Sequence, residues 1–309
     1  MAVLKQRVKL ERRPTGPTRE QRDRRAALAF LTPNAIGFLA FTLIPFAASL
    51  VLSFFDWPLI GSPSFAGIGN WSKLLTEDPN FWPVLWNTVY FAVAYVIGNL
   101  VVSLGLALWL SSRIHFKGLF RWVFFLPVVS PMVANAVVWR LLLTPNEGLF
   151  ASISMILFGN PGPNWLGDTN WAMPAVIMMS IWQGFGYNMI IFVAGIGSIP
   201  QQVYEAAAID GANWWQRTFK ITLPLLTPSI FFAVIMTIIS SLQTFAQPFI
   251  LTSGGPGNST TTLVYYLYQR GFQGYEMGYA STIAWSLFAI ILVVTFIQYR
   301  GQDRWVNYQ

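Results

Sequence analysis

Charged side chains are scarce in this chain. Asp, Glu, Lys and Arg together make up 10% of its 309 residues, whereas soluble domains carry roughly a quarter. Hydrophobic residues account for 54% of the chain and aromatic residues for 16%. This composition excludes an ordinary soluble globular domain and is typical of a protein that lies largely within a membrane.

Cysteine is absent and histidine occurs once, as His115. The absence of cysteine excludes disulfides, thiol catalysis and thiolate metal sites, and one His in a basic loop is a poor candidate for a metal ligand. The chain also lacks the GxxxxGK(S/T) phosphate-binding loop, because the glycine-rich residues 254–260 contain no Lys. We therefore expect no metal site, no cofactor bound by this chain and no ATP hydrolysis by it.

Long apolar runs dominate the rest of the sequence. A helix needs about 20 apolar residues to cross the hydrocarbon core of a membrane, and six runs are long enough. Apart from Arg140, near the end of the third run, they contain no Asp, Glu, Lys, Arg or His. The runs are residues 27–54, 88–110, 122–143, 173–197, 229–250 and 278–298. The sequence therefore predicts an all-α integral membrane protein with six transmembrane helices.

The positions of Lys and Arg predict the orientation of these spans, because short cytoplasmic loops carry the excess of cations. With the N-terminus inside, all but three of the 19 cations are cytoplasmic, the exceptions being Lys73, Arg140 and Arg270. Both termini are thus predicted to be cytoplasmic, with a basic tail over residues 1–26, a membrane domain over 27–298 and a second tail over 299–309. The net charge of +7 follows from these loops, and no nucleic-acid partner is expected.

Two outside segments carry turn-forming residues. Residues 144–172 are rich in Pro, Gly and Asn, which predicts turns. Residues 252–277 open with SGGPG and continue with YYLY, which predicts a turn followed by a short helix at the membrane interface.

The inside loop over residues 200–228 is longer and more polar than the others. Pro200 suits the start of a helix, and Tyr204, Ala207 and Ala208 have the spacing of one packing face. Gly211 is expected to end this helix, since Gly adopts the left-handed conformation without steric cost. A second helix can start within residues 212–220, and we expect Pro224 and Pro228 to break the chain before the fifth span.

The order of residues in this loop resembles the EAA loop of ABC importer permeases. It reads EAA at residues 205–207, then Gly211 after three residues, then ITLP at 221–224 after nine more. The resemblance implies the type I ABC importer permease fold, in which this loop is a pair of coupling helices that docks into a cleft of a cytoplasmic ATPase. The residues carried over to that coupling role are Glu205, Ala206, Ala207, Asp210, Gly211, Ile221, Leu223 and Pro224.

A second resemblance concerns the outside segment. Residues 251–260, LTSGGPGNST, with Tyr268, Phe272 and GYA at 278–280 downstream, are similar to the first-type permease of carbohydrate importers, including maltose and glycerol-3-phosphate systems. NWL at residues 164–166 and Trp139 agree with the same group. The large periplasmic insertion and two additional N-terminal spans of the enteric maltose permease are missing here, which implies a minimal six-span member.

The family resemblance also implies partners and location. It implies a second, different permease forming a heterodimer, two cytoplasmic ABC ATPase subunits that carry ATP and Mg, and an extracytoplasmic solute-binding protein. The chain would be a multi-pass protein of the cytoplasmic (inner) membrane, surrounded by lipid. It would be a transport subunit and not an enzyme.

Polar residues on the fourth and fifth spans are candidates for the solute pathway. In the fifth span they fall within an arc of roughly 160° at about 100° per residue. Their amides and hydroxyls can bond sugar hydroxyls, and Trp182, Tyr187 and Phe245 can stack on sugar faces, although the same groups also join membrane helices to one another. The candidates are Ser180, Gln183, Gly184, Tyr187, Asn188, Thr237, Ser240, Ser241, Gln243, Thr244 and Gln247.

Alternatives remain for the cargo and for the source of energy. These faces have no cation, which favours a neutral oligosaccharide over a phosphate or carboxylate, although the partner permease could supply charge to a glycerol-3-phosphate-type solute. An ion-coupled secondary carrier is a further alternative, but such carriers usually need carboxylates or His within their spans. An enzyme would need acid–base or metal groups, and the outside acids are scattered.

Overall fold

The computed structural model describes residues 19–58, 60–112, 114–304 and 306, and most of them are helical. Residues Met1–Val51 and Leu52–Gln309 form two compact units, which are described separately. The predicted all-α membrane fold is confirmed. Within these described ranges, five helices are long and apolar enough to cross a membrane, or six if one bent pair counts as a single span.

The first unit contains the first span. Helix α1 (Arg19–Phe38), a π-helical turn (Leu39–Leu43) and α2 (Ile44–Leu52) form one continuous helix. This helix begins at Arg19, so residues 19–26 of the predicted N-terminal tail are helical. Residues 1–18 of that tail lie outside the described residues.

Four further spans belong to the second unit. Three of them are the single helices α4 (Phe81–Ser111), α8 (Thr169–Ser198) and α14 (Met277–Gly301). The fourth is a longer helix, Trp214–Leu242, which consists of α10 (Trp214–Arg217), a π-helical turn (Thr218–Thr222) and α11 (Leu223–Leu242). A 3₁₀ turn (Gln302–Arg304) follows α14, so the start of the predicted C-terminal tail is helical.

The third predicted span, over residues 122–143, was wrong as a single straight helix. The chain forms α5 (Lys117–Val129) and α6 (Met132–Leu142), which meet at an angle of 95°. Pro131 has no backbone N–H and disfavours helical geometry at Ser130, which is extended with ψ 140°. Two backbone carbonyls at the break keep a hydrogen-bond donor. Asn135 donates a hydrogen bond to the carbonyl of Pro127 (3.3 Å), and Gln183 donates one to the carbonyl of Ser130 (3.4 Å).

The fifth predicted span, over residues 229–250, was also wrong in its limits. Its helix runs unbroken from Trp214 to Leu242, and the chain leaves helical geometry before α12 (Ala246–Thr252). Pro224 and Pro228 do not break it. Pro224 lies in the first turn of α11, directly after the π-helical turn, where the wider helix relieves the clash between a Pro ring and the preceding turn.

The segments predicted to lie outside contain short elements. Strands β1 (Phe55–Asp56) and β2 (Ser64–Phe65) form an antiparallel hairpin, followed by α3 (Gly69–Ser72) and a π-helical turn (Lys73–Glu77). The 144–172 segment contains α7 (Leu149–Phe158), which was not predicted. The predicted short helix after residue 252 is confirmed as α13 (Leu263–Tyr268), continued by a π-helical turn (Gln269–Gln273).

The core of the second unit forms where α8 packs against α4, α5 and α11. Buried residues recur along α4 every three or four positions, from Phe81 to Leu110, which is the pattern of one packed helix face. Glycines permit close approach of the helices. A Cβ at Gly98 would collide with Ile181, and one at Gly186 would collide with the backbone of α5.

Candidate functional site

The predicted coupling loop begins with a short helix, α9 (Gln201–Ile209). Glu205 and Ala206 are exposed on it, and Ala207 is buried. The side chain of Gln201 donates a hydrogen bond of 2.7 Å to the carboxylate of Glu205, which fixes that carboxylate one turn above the start of the helix. The loop therefore presents an oriented negative charge to solvent.

Gly211 ends α9 as predicted. Its φ is +73°, its N–H bonds the carbonyl of Ala208 (3.2 Å), and the next N–H, from Ala212, reaches back to Ala207 (2.9 Å). These two bonds form a Schellman motif, with Asp210 as the C-cap residue after Ile209. A Cβ on Gly211 would meet open space, so the requirement for Gly comes from backbone conformation alone.

The return segment is held against α9. Asn213 and Gln216 form a reciprocal capping box that starts α10. Arg217 donates a hydrogen bond from Nε to the carbonyl of Ala212 (2.8 Å), and the hydroxyls of Tyr204 and Thr222 lie 3.0 Å apart. Two side-chain hydrogen bonds therefore connect the loop to the helix that becomes the fifth span. One joins α9 to that helix at Tyr204, and the other joins the turn after α9 to it at Ala212.

The predicted packing face of α9 was partly wrong. Tyr204 and Ala207 face inward, but Ala208 is exposed. On the return segment, Ile221, Leu223 and Pro224 are half-buried in the long helix Trp214–Leu242. The contact between Tyr204 and Thr222 was missed because no local pattern marks a bond between residues so distant in sequence.

Apolar side chains are exposed around the loop. Ile209 is 87% exposed, and Trp215 and Phe219 are also exposed and stack on each other with ring centroids 5.8 Å apart. These residues lie next to polar neighbours on α9 and α10.

The candidate solute residues divide into a buried and an exposed group. Asn188 is buried, and its amide donates hydrogen bonds to Asn99 (2.7 Å) and to Thr237 (2.8 Å). Ser103 donates to the same Asn99 oxygen (3.2 Å). This network joins α4, α8 and α11. Sequence reasoning missed Asn99 and Ser103, although two polar residues four positions apart in an apolar run were a usable signal.

The other buried candidates also belong to helix packing. Ser180 and Ser241 donate hydrogen bonds within their own helices, to Val176 (2.7 Å) and Ile238 (2.8 Å). Gly184 lies against α4, where a Cβ would collide with the hydroxyl of Tyr95. Because their side chains are small and, among the described residues, make no bond outside their own helices, these residues permit close helix packing.

The second group is open to the surface of this chain. Tyr187, Ser240 and Gln243 are exposed, and Gln183 is half-buried. The Oε1 atom of Gln183 is buried and has no hydrogen-bond partner among the described residues.

The predicted single arc over residues 237–247 was wrong, because the helix ends at Leu242. Thr244 and Gln247 lie beyond the break and bond each other (2.8 Å), while Thr262 donates a hydrogen bond to the carbonyl of Thr244 (2.9 Å). Thr244 is buried and Gln247 is half-buried. These contacts stabilise the irregular segment after Leu242.

Two of the candidate stacking aromatics have protein partners. The rings of Trp182 and Trp139 lie 5.7 Å apart. Phe245 packs against Phe249 (5.1 Å) and Tyr268 (5.3 Å).

A buried carboxylate organises the predicted outer side. Asp78 accepts hydrogen bonds from Tyr266 (2.5 Å) and Tyr279. Burial acts to raise the pKa of Asp78, but hydrogen bonds from Tyr266, Tyr279 and the amide of Asn80, with the charge of Arg270, outweigh it and hold the pKa below the ordinary value of 3.8.

Neighbouring charges complete this cluster. Glu276 pairs with Arg270 (3.2 Å) and more weakly with Lys73 (3.9 Å). Both cations also lie over the ring of Tyr279, Lys73 at 4.6 Å and Arg270 at 5.0 Å from its centroid. Two of the three cations predicted outside are thus engaged within this cluster.

Most of this chain is similar in sequence to known proteins. The family profile described as binding-protein-dependent transport system inner membrane component matches residues 101–308. The probable ABC transporter permease protein YesP of Bacillus subtilis is 38% identical over 94% of both chains. The arabinooligosaccharides transport system permease protein AraP of the same species is 33% identical over 88% of this chain and 87% of its own.

A solved structure shows the same fold. A chain in the crystal structure of a bacterial alginate ABC transporter, in complex with a pentasaccharide-bound periplasmic protein, superposes with a TM-score of 0.82. The alignment covers 92% of this chain and 96% of that chain at 22% identity.

Proposed function

Because this chain belongs to the family of binding-protein-dependent transport system inner membrane components and is a sugar ABC transporter permease, we propose that it transmits ATP-driven motion into the import of a neutral oligosaccharide. It is a transport component and not an enzyme. The observation that carries the proposal is the geometry of the loop over residues 200–228, which has an exposed carboxylate and a rigid connection to a membrane span.

The coupling step rests on the continuity of the helix Trp214–Leu242. The bond between Tyr204 and Thr222 joins α9 to this helix, and Arg217 holds the turn between them. A displacement of α9 therefore reaches the span without passing through a flexible linker. In our proposal, closure of two ATPase subunits that bind ATP and Mg moves α9.

The contact surface for the ATPase would combine Glu205 with the exposed apolar side chains of Ile209, Trp215 and Phe219. A large exposed apolar group beside polar residues is typical of a protein interface. Glu205 would pair with a cation of the ATPase, and Ala206, which is also exposed, permits close approach.

The solute would pass along the exposed polar residues of α8 and α11. Gln183, Tyr187, Ser240 and Gln243 are the candidates that this chain leaves accessible. A face open on one side cannot enclose a sugar, so we propose that a second, different permease completes the pathway and that an extracytoplasmic binding protein delivers the solute.

A neutral oligosaccharide is the cargo that fits these residues best. The amide and hydroxyl groups can donate and accept hydrogen bonds with sugar hydroxyls, and the relative AraP is named for arabinooligosaccharides. A glycerol-3-phosphate-type solute would need cations supplied by the partner permease. The proposed orientation places both termini and the coupling loop in the cytoplasm.

Reconstitution tests the proposal directly. The complete complex, with partner permease, ATPase and binding protein, should take up labelled oligosaccharide only with ATP inside. Glu205→Ala should lower uptake and ATPase recruitment, while Glu147→Ala, an exposed carboxylate on a predicted outside loop, should change neither. Transport by this chain alone, driven by an ion gradient, would refute the ATP-driven mechanism.

A further inference from the structure

A large cavity lies at the end of the helices next to the coupling loop. Its volume is about 910 Å³, and it is an open pocket lined by the end of α4, the start of α5, the end of α8 and the segment from Pro200 to Thr222. It is separate from the proposed solute residues Gln183, Tyr187, Ser240 and Gln243, which do not line it. We call it the basic pocket.

The charges lining the basic pocket have one sign. Lys117, Arg121 and Arg217 line it, and no Asp or Glu of the residues that the structure describes does. Within the described part of the chain, none of the three cations lies within ion-pair distance of a carboxylate. Three cations around one cavity repel one another, so the pocket favours an anionic occupant.

The rest of the pocket lining is part hydroxyl-bearing and part apolar. Hydroxyl groups, including those of Ser198 and Thr218, accompany the cations, whereas Leu108, Val193 and Ile196 form an apolar wall. Hydroxyls and cations together are the groups that bind phosphate oxygens. The apolar wall would make no favourable contact with inorganic phosphate, but it can pack against the glycerol and the first acyl carbons of a lipid.

The position of the basic pocket agrees with a lipid. It lies where the membrane spans α4 and α8 end, at Ser111 and Ser198, which is the level of lipid headgroups. Basic pockets at this level between membrane helices bind anionic headgroups.

We propose that the basic pocket binds the phosphate group of an anionic phospholipid from the cytoplasmic leaflet. Lys117 and Arg121 hold the phosphate, and the apolar wall holds the start of the acyl chains. The assignment to the cytoplasmic leaflet rests on the proposed function, which places the coupling loop in the cytoplasm. Binding itself is measured without transport, so its failure would leave the importer mechanism standing.

The test uses the full complex in phosphatidylcholine nanodiscs with increasing phosphatidylglycerol, and native mass spectrometry to count retained lipid. Lys117→Gln and Arg121→Gln should each weaken phosphatidylglycerol binding about fivefold, and the double variant about 25-fold. Arg300→Gln is the matched control, because Arg300 is an exposed cation outside the pocket. Arg217 is not substituted, since it supports the loop.

Two further arms keep the outcome clear. The charge-conserving pair Lys117→Arg and Arg121→Lys should retain the lipid, which separates charge from folding. Equal phosphatidylglycerol retention in wild type and the double Gln variant would overturn the proposal. It would also be overturned if inorganic phosphate bound with the same dependence on Lys117 and Arg121 while phosphatidylglycerol did not.

Discussion

Asn188 has more influence on the packing of the membrane helices than any exposed polar candidate. Its amide bridges Asn99 and Thr237, so Asn188→Ala leaves both groups without this donor. We expect the free energy of unfolding to fall by about 1 kcal/mol, which is within the range for hydrogen bonds between membrane helices. Unfolding by SDS in mixed micelles measures it. Ser281→Ala, which removes a hydroxyl bonded within its own helix, should have a smaller effect, and equal losses would contradict the bridging role.

Asp78 makes the outer cluster sensitive to acid. Because its pKa in the folded chain lies below the ordinary 3.8, its stabilising effect is fully present above that value and is lost as the pH falls through the lower, folded pKa. Asp78→Asn should therefore lower the thermal midpoint at neutral pH, and its difference from wild type should shrink below pH 3.8. Glu147→Gln, an exposed carboxylate, serves as control. A difference independent of pH would show that packing, and not charge, stabilises the cluster.

At the scale of elements, the turn at Gly211 sets the direction in which the coupling loop returns to the membrane. Its φ of +73° costs a residue with a Cβ about 1 kcal/mol or more, and no clash adds to this because the Cβ would meet open space. Gly211→Ala should weaken copurification of the cognate ATPase while the membrane spans keep their stability. Gly118→Ala, at a helical Gly with similar open space, should leave ATPase recruitment unchanged. Normal recruitment by Gly211→Ala would remove this turn from the coupling role.

The sequence predicted continuous helices better than it predicted where they break. Hydrophobic length identified α4, α8 and α14, and the EAA spacing located α9 and the turn at Gly211. The bend at Ser130 depends on carbonyls satisfied by Asn135 and by Gln183 from another helix, which composition does not reveal. Pro224 led to the opposite error. It was expected to break the chain, but the helix continues through it because a π-helical turn accommodates it.

Burial separates the roles of polar residues that look alike in the sequence. Helical phase placed Thr237 and Gln243 on one face, yet Thr237 is buried in the network with Asn188 while Gln243 is exposed beyond the end of α11. The phase argument assumed one straight helix, and the break after Leu242 removed that assumption.

At the scale of the whole molecule, the exposed polar residues are useful only in an assembly. Gln183, Tyr187, Ser240 and Gln243 lie on α8 and at the end of α11, and both helices reach the coupling loop, α8 through Pro200 and α11 through Trp214. The same two helices thus connect the ATPase side of the proposed complex with the solute side. In the proposed mechanism, a movement of the loop changes the exposed faces while the buried network of Asn99, Asn188 and Thr237 keeps the helices together.

This division predicts opposite outcomes for two adjacent residues in the assembled importer. Gln243→Ala removes an exposed amide, so the KM for oligosaccharide uptake should rise about fivefold, the effect of one lost hydrogen bond of about 1 kcal/mol, with assembly and thermal stability unchanged. Thr244→Val removes the buried hydroxyl that bonds Gln247, so stability should fall before any specific effect on KM. Uptake kinetics and thermal unfolding of the same purified complexes distinguish the two. An unchanged KM for Gln243→Ala would exclude this residue from the pathway, because nothing in its packing would mask a lost contact with the sugar.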